Sequence, residues 1–206
     1  MLTLMRREAY DNIVYLVGLG LVAAMLIVVL ISAAFEGMQE DYFLPLGLLT
    51  FLLLLGLYAL GAAQMYGDRA NRISSLLTTQ AVTRSRVLAA RALVGLLAVL
   101  AVLLPVVVTA VVLLWAFLPP LDFYRRLLVE IPLTLALTAF ACHSAGLLVG
   151  WTTNRIRLLA GAVLLVTAVA SLLWIKGFGP DVMAVLLLFI AATLLRTWHT
   201  FTSTSL

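Results

Sequence analysis

Six runs of mainly apolar residues succeed one another along this 206-residue chain, and that repetition limits its fold more than any motif does. A helix needs about 20 apolar residues to cross the hydrocarbon of a bilayer, because each residue rises only about 1.5 Å. Runs of that kind occupy residues 13–34, 43–66, 92–118, 127–150, 158–175 and 182–195, the last short and extending toward 196–198. Within lipid a backbone must satisfy its own hydrogen bonds, so each run reads as a helix. The expected fold is an all-α membrane protein with six transmembrane helices. Sixty-five per cent of residues are hydrophobic and only 11% charged, far from a soluble domain. The spans use up the chain, so residues 1–206 read as a single transmembrane domain with no room for a soluble one of about 50 residues. The run at 13–34 is too long for a signal-peptide core and reads as a retained first span.

Orientation follows from the basic residues flanking the runs. With the N-terminus in the cytoplasm, that side holds Arg6, Arg7, Arg69, Arg72, Arg84, Arg86, Arg91, Arg155, Arg157 and Arg196, and the outside holds Arg125, Arg126 and Lys176. Ten against three predicts that both termini are cytoplasmic; the expected location, which the charge count itself does not select, is a bacterial inner (cytoplasmic) membrane. The same bias accounts for a sequence pI of about 9.6. Nucleic-acid binding, which needs a contiguous basic face on a soluble element, is not expected.

One long polar stretch breaks the pattern, at residues 67–91: GDRANRISSLLTTQAVTRSRVLAAR. Ile73, Leu76 and Leu77 recur at helical spacing, which predicts a short amphipathic helix between spans 2 and 3. Two readings fit it, a docking element for a soluble partner and a helix lying on anionic lipid. Residues 1–12 mix Leu2, Leu4 and Met5 with Arg6, Arg7, Glu8 and Asp11. They read either as an interfacial elbow helix or as the frayed end of the first span.

Catalytic signatures are missing. The sole lysine, Lys176, falls in an expected external loop, so a phosphate-binding GxxxxGK[ST] loop cannot be built and ATP hydrolysis must belong to another chain. The sequence contains no HExxH and no GxSxG. Ionisable groups at membrane depth are few. His143, beside Cys142, has no Asp, Glu, Cys or second His one turn away, so neither a metal nor a haem site is expected. Cys142 reads as a small packed residue. Thr50, Thr109, Thr134, Thr138, Ser144, Thr167 and Ser171 are expected to bond back to their own helices. Pro45, Pro105 and Pro132 lie in or near spans as candidate kinks. Gly56, Gly61, Gly95, Gly146 and Gly150 permit close helix approach, with Gly146 and Gly150 forming a small-xxx-small pair suited to packing or to a dimer interface.

Six spans, cytoplasmic ends, an elbow, a basic helical insertion between spans 2 and 3 and a smaller basic turn at Asn154, Arg155 and Arg157 together resemble the permease subunits of ABC-2 type exporters. The local similarity lies in Leu76, Leu77, Thr78 and Thr79, then Val82, Thr83 and Arg84, then Val87, Leu88 and Arg91. Members of that family often carry there an acidic residue, Gly-Thr-Leu-Glu, a leucine pair, Pro-Val-Ser-Arg and a basic residue. Asp68 stands for the acid, whereas residues 71–74 lack the Gly-Thr-Leu-Glu core and Ala81 replaces the proline. The resemblance implies a coupling helix in 67–91 that fits a cytoplasmic ABC ATPase, with Arg69, Arg72, Ile73, Leu76, Leu77, Thr83, Arg84 and Arg86 in contact. Residues 151–157 would supply a second contact through Asn154, Arg155 and Arg157. It implies a second permease chain, ATP and Mg on the partner ATPase and no cofactor in this chain. Tyr58, Gln64, Thr109 and Trp115 are the scattered polar and aromatic features of a substrate path suited to an amphipathic or hydrophobic cargo. Two alternatives stand beside the exporter, a non-transporting scaffold or assembly subunit of a larger complex, and a haem-exporter-like permease of cytochrome c maturation.

Overall fold

The protein is described by a computed structural model over residues 10–36, 40–70, 84–117, 122–150 and 155–203. All regular structure among these residues is helical. Six long helices overlie the six apolar runs: α1 (Ile13–Glu36), α2 (Phe43–Ala70), α3 (Arg84–Phe117), α4 (Asp122–Val149), α5 (Arg155–Lys176) and α6 (Pro180–Ser203). A 3₁₀ turn at Glu40–Tyr42 leads into α2, where the Tyr42 hydroxyl donates to the Glu36 carboxylate. Among the described residues five helices, all but α5, are long and apolar enough to cross a membrane, as expected of an integral membrane protein. The α5 helix has 22 residues, with a shorter apolar stretch at Leu158–Leu173. Large apolar side chains such as Leu21, Leu104, Leu164 and Leu188 point outward. That pattern suits lipid as the surrounding solvent.

Boundaries differ from the sequence reading at the polar stretch. Only residues 71–83 separate α2 from α3, because α2 runs on to Ala70 and α3 begins at Arg84, eight residues before the expected 92. A helix outside the hydrocarbon no longer needs apolar side chains, and six of the first eight residues of α3 are Arg, Leu or Ala, which are strong helix formers. With 34 residues α3 is about 51 Å long, more than the roughly 40–45 Å of a whole bilayer. The α6 helix likewise extends beyond the expected 195 to Ser203. Residues 1–9 of the elbow and 71–83 of the expected coupling helix lie outside the described residues.

Between α5 and α6 the chain reverses within three residues. Gly177 adopts φ 72° and its N–H closes the end of α5 on the Leu173 carbonyl at 2.9 Å. This left-handed cap is open to glycine at little cost and lets α6 start at Pro180.

The core centres on α2 and α4. Over half of the α4 span is buried, 56%, against 17% of the α1 span, so α4 is the inner helix and α1 an outer one. The α2 helix packs most extensively on α4, and α4 in turn on α6; α1 packs on both α2 and α3, and α5 makes the lightest contacts of the six. Leu53, Leu57 and Leu60 of α2 meet Val99, Val102 and Val106 of α3 and Ala139 and Cys142 of α4 in the main apolar cluster. A second cluster joins Ala141 of α4 to Val182, Leu186 and Ile190 of α6.

Candidate functional site

Two features of α2 stand out: its seam with α4, and a groove it shares with α1 and α5. At the seam, glycines remove the side chains that would hold two helices apart. A Cβ on Gly146 would stand 2.2 Å from the Tyr58 carbonyl oxygen, one on Gly150 would stand 2.5 Å from that of Ala62, and one on Gly61 would stand 2.3 Å from that of His143. Tyr58 and Ala62, like Gly146 and Gly150, are one turn apart, and both contacts advance in the same direction, so α2 and α4 run parallel and touch backbone to backbone. Small residues at helical spacing allow that approach in lipid, where van der Waals packing drives association. The pair at Gly146 and Gly150 is therefore occupied within the chain by α2 and is not available as a dimer interface.

His143 is locked into this seam. Its ring is fully buried and stacks on Phe140, with ring centroids 6.2 Å apart. The Nε2 edge fills the space where Gly95 of α3 has no side chain, 1.8 Å from the position a Cβ would take. One imidazole thus joins α2, α3 and α4 through two missing Cβ atoms, those of Gly61 and Gly95. Neither ring nitrogen meets hydrogen-bond geometry, although the Leu57 backbone faces the ring. Among the described residues no group of three or more His, Cys, Asp or Glu side chains could hold a metal ion.

Other polar groups of the helices divide into satisfied and orphaned ones. Thr50, Thr109, Thr134 and Ser144 donate to carbonyls of their own helices at 2.7–2.9 Å, and Thr167 does so to Leu164 at 3.1 Å. Thr138 departs from the expectation: its hydroxyl, fully buried, has no partner. The Ser144 hydroxyl also lies 3.0 Å from that of Thr193, which links α4 to α6. Thr193 and Thr197, one turn apart on an apolar helix, form a polar stripe readable in the sequence. Gln64 is buried with both amide atoms unpartnered.

Arg91 is placed differently from the polar connection assigned to it. It lies inside α3, only 2% exposed, with Nη1 3.4 Å from the Met65 sulfur of α2. Met65, Leu88, Leu147 and Leu194 surround this end of the bundle, one each from α2, α3, α4 and α6. A long stem lets the guanidinium lie over apolar neighbours, which an isolated loop reading cannot anticipate.

The groove, about 420 Å³, is lined by Tyr15 of α1, by Leu55, Tyr58, Ala59 and Tyr66 among others of α2, and by Leu158, Leu159 and Ala162 of α5. Tyr58, only 3% exposed, lines it, and its hydroxyl lacks a partner and reaches toward Gly161 of α5. Of the four residues expected along a substrate path, only Tyr58 lines this groove. Gln64 lies in the α2 core, Thr109 bonds to Pro105 on α3, and Trp115 is 84% exposed near the far end of α3.

Of the expected ATPase-contact residues, Arg72, Ile73, Leu76, Leu77, Thr83 and Asn154 lie outside the described residues. Arg69 is in the last turn of α2, Arg84 and Arg86 in the first turn of α3, and Arg155 and Arg157 in the first turn of α5. No family model matches the sequence, and neither a curated protein nor a solved structure matches it.

Proposed function

We propose that the chain is the membrane subunit of an ATP-driven exporter of the ABC-2 type, moving an amphipathic or hydrophobic substrate. In this reading six spans carry the cargo route, both termini are cytoplasmic, and a separate ABC ATPase supplies ATP hydrolysis with its own Mg. A second permease chain completes the path, and residues 67–91 include the element that receives the ATPase.

The observation that carries this reading is the way α2 and α3 approach the connection at 71–83, which has Arg69 and Arg72 at one end and Arg84 and Arg86 just past the other. Both run beyond the apolar limits of their spans, and Arg91 lies against Met65 where Leu88, Leu147 and Leu194 converge. A force applied to the connection would therefore enter four helices at once. The parallel α2–α4 pair, in backbone contact, would move as a unit, while the lightly held α5 would be free to rock against it. The lack of any lysine outside position 176 requires the nucleotide site to reside elsewhere.

Co-purification tests the reading. The chain is expected to retain a P-loop ATPase at a stoichiometric ratio, and Leu76→Asp or Leu77→Asp is expected to release it while leaving the permease folded in detergent. Isolation of the intact chain with no ATPase, or an ATPase whose stimulation is unchanged by both substitutions, would overturn it.

A further inference from the structure

We infer that the α1/α2/α5 groove holds one acyl chain of an anionic phospholipid, with the headgroup at the end where α2 finishes and α5 begins. The inference stands apart from the transport reading, since it concerns a bilayer component rather than cargo. Three observations carry it.

The first is length. The lining of α2 runs from Leu55 to Tyr66, which corresponds to about 16 Å of helix rise. Half of a hydrocarbon core of roughly 30 Å is about 15 Å, so the groove has the depth of one leaflet. Its volume of about 420 Å³ lies within the range of small-molecule sites between helices.

The second is polarity along that depth. Leu55, Ala59, Leu158 and Ala162 give apolar walls, and the tyrosines Tyr15 and Tyr66 lie toward one end. Tyrosine is favoured at headgroup depth, where its ring is in hydrocarbon and its hydroxyl near ester and phosphate oxygens.

The third is charge. The chain connections make α1 and α5 antiparallel to α2, so the last turn of α2 and the first turn of α5 share the Tyr66 end. Those two turns carry Arg69, Arg155 and Arg157 against one acid, Asp68. Juxtamembrane arginines near the membrane surface favour anionic headgroups by about 1 kcal/mol each, equivalent to about fivefold in affinity.

The test uses the whole chain in vesicles of phosphatidylethanolamine, with a trace of phosphatidylglycerol bearing a photoreactive diazirine in one acyl chain. Phosphatidylcholine with the same diazirine serves as the zwitterionic control. Crosslinks are expected to concentrate on peptides containing residues 55–66 and 158–162, and to exceed those from phosphatidylcholine. Arg155→Gln and Arg157→Gln should each lower the phosphatidylglycerol signal about fivefold. Ala63→Phe, at a half-buried lining position, should remove it while crosslinking at other lipid-facing helices continues; Ala59→Phe provides the same test should the first variant fail to elute as a folded species. Equal labelling by both lipids, even labelling of all lipid-facing helices, or indifference to the phenylalanine substitutions would overturn the inference. So would a loss produced by Tyr58→Phe alone, which would assign the groove to a ligand with a polar oxygen at mid-depth.

Discussion

The α2 helix meets α4 and α5 through glycines in both cases, yet the two contacts differ in what each glycine faces. Across the α4 seam the missing Cβ atoms of Gly61, Gly146 and Gly150 point at backbone oxygens 2.2–2.5 Å from where they would be. Across the α5 contact the missing Cβ of Gly161 points at the end of a side chain, the Tyr58 hydroxyl, at 3.2 Å. Backbone cannot yield without parting the helices, whereas a hydroxyl moves with a small ring shift. The first contact is thus a fixed joint and the second an adjustable one, and the groove opens on the adjustable side.

Three substitutions grade that difference, read as thermal unfolding in detergent. Cys142, the single cysteine, is buried, so a thiol-reactive fluorophore reports unfolding directly. Gly146→Ala should have the largest effect. A Cβ driven into the Tyr58 carbonyl exceeds ordinary overpacking, so a loss of about 3 kcal/mol or more is expected, lowering Tm by about 6–12 °C or abolishing folding. A Tm within about 2 °C of the parent would show that α2 and α4 are not in backbone contact.

Gly95→Ala comes next, because its Cβ would meet a ring buried on every side and not a backbone. A loss of about 2 kcal/mol is expected, or about 4–8 °C. His143→Ala removes the obstruction, so the double substitution should be less damaging than the sum of the two singles. Strict additivity would show that His143 does not fill the space at Gly95. Smallest is Gly161→Ala, where a shift of a few tenths of an ångström in Tyr58 suffices and helix propensity favours alanine. Its Tm should stay within about 2 °C of the parent, and a drop as large as that of Gly146→Ala would erase the distinction between the two contacts.

The membrane-crossing class of the chain was legible because each span is a local pattern: twenty apolar residues say helix in lipid wherever they occur. Threonine behaviour was legible for the same reason, except at Thr138, whose buried hydroxyl has no partner. Thr50, Thr109, Thr134 and Thr167 bond to a carbonyl one turn back, a partner their own helix supplies. The small-residue pair at Gly146 and Gly150 was visible as a site of close approach, but its partner was not. Arg91 was read as part of a polar connection, since a lone arginine beside other arginines carries no sign of the Met65 stem it lies on. His143 had no assigned role because its setting is made by two absent side chains, 82 and 48 residues away by subtraction of Gly61 and Gly95 from position 143.

By itself the sequence determined that this is a helical membrane protein, where its helices lie to within a few turns, and that no ATP-binding lysine loop exists in it. These follow from rules that act within a span or on a short motif, chiefly the cost of leaving backbone groups unpaired in hydrocarbon. The tertiary structure alone decided that α2 and α4 are the central pair, that His143 joins them to α3, and that Tyr58 stands between a closed seam and an open groove. In lipid one apolar helix face is as well solvated as another, so apolarity does not select partners. Selection falls to the fit of missing Cβ atoms against distant backbone, and that fit exists only once the helices are assembled.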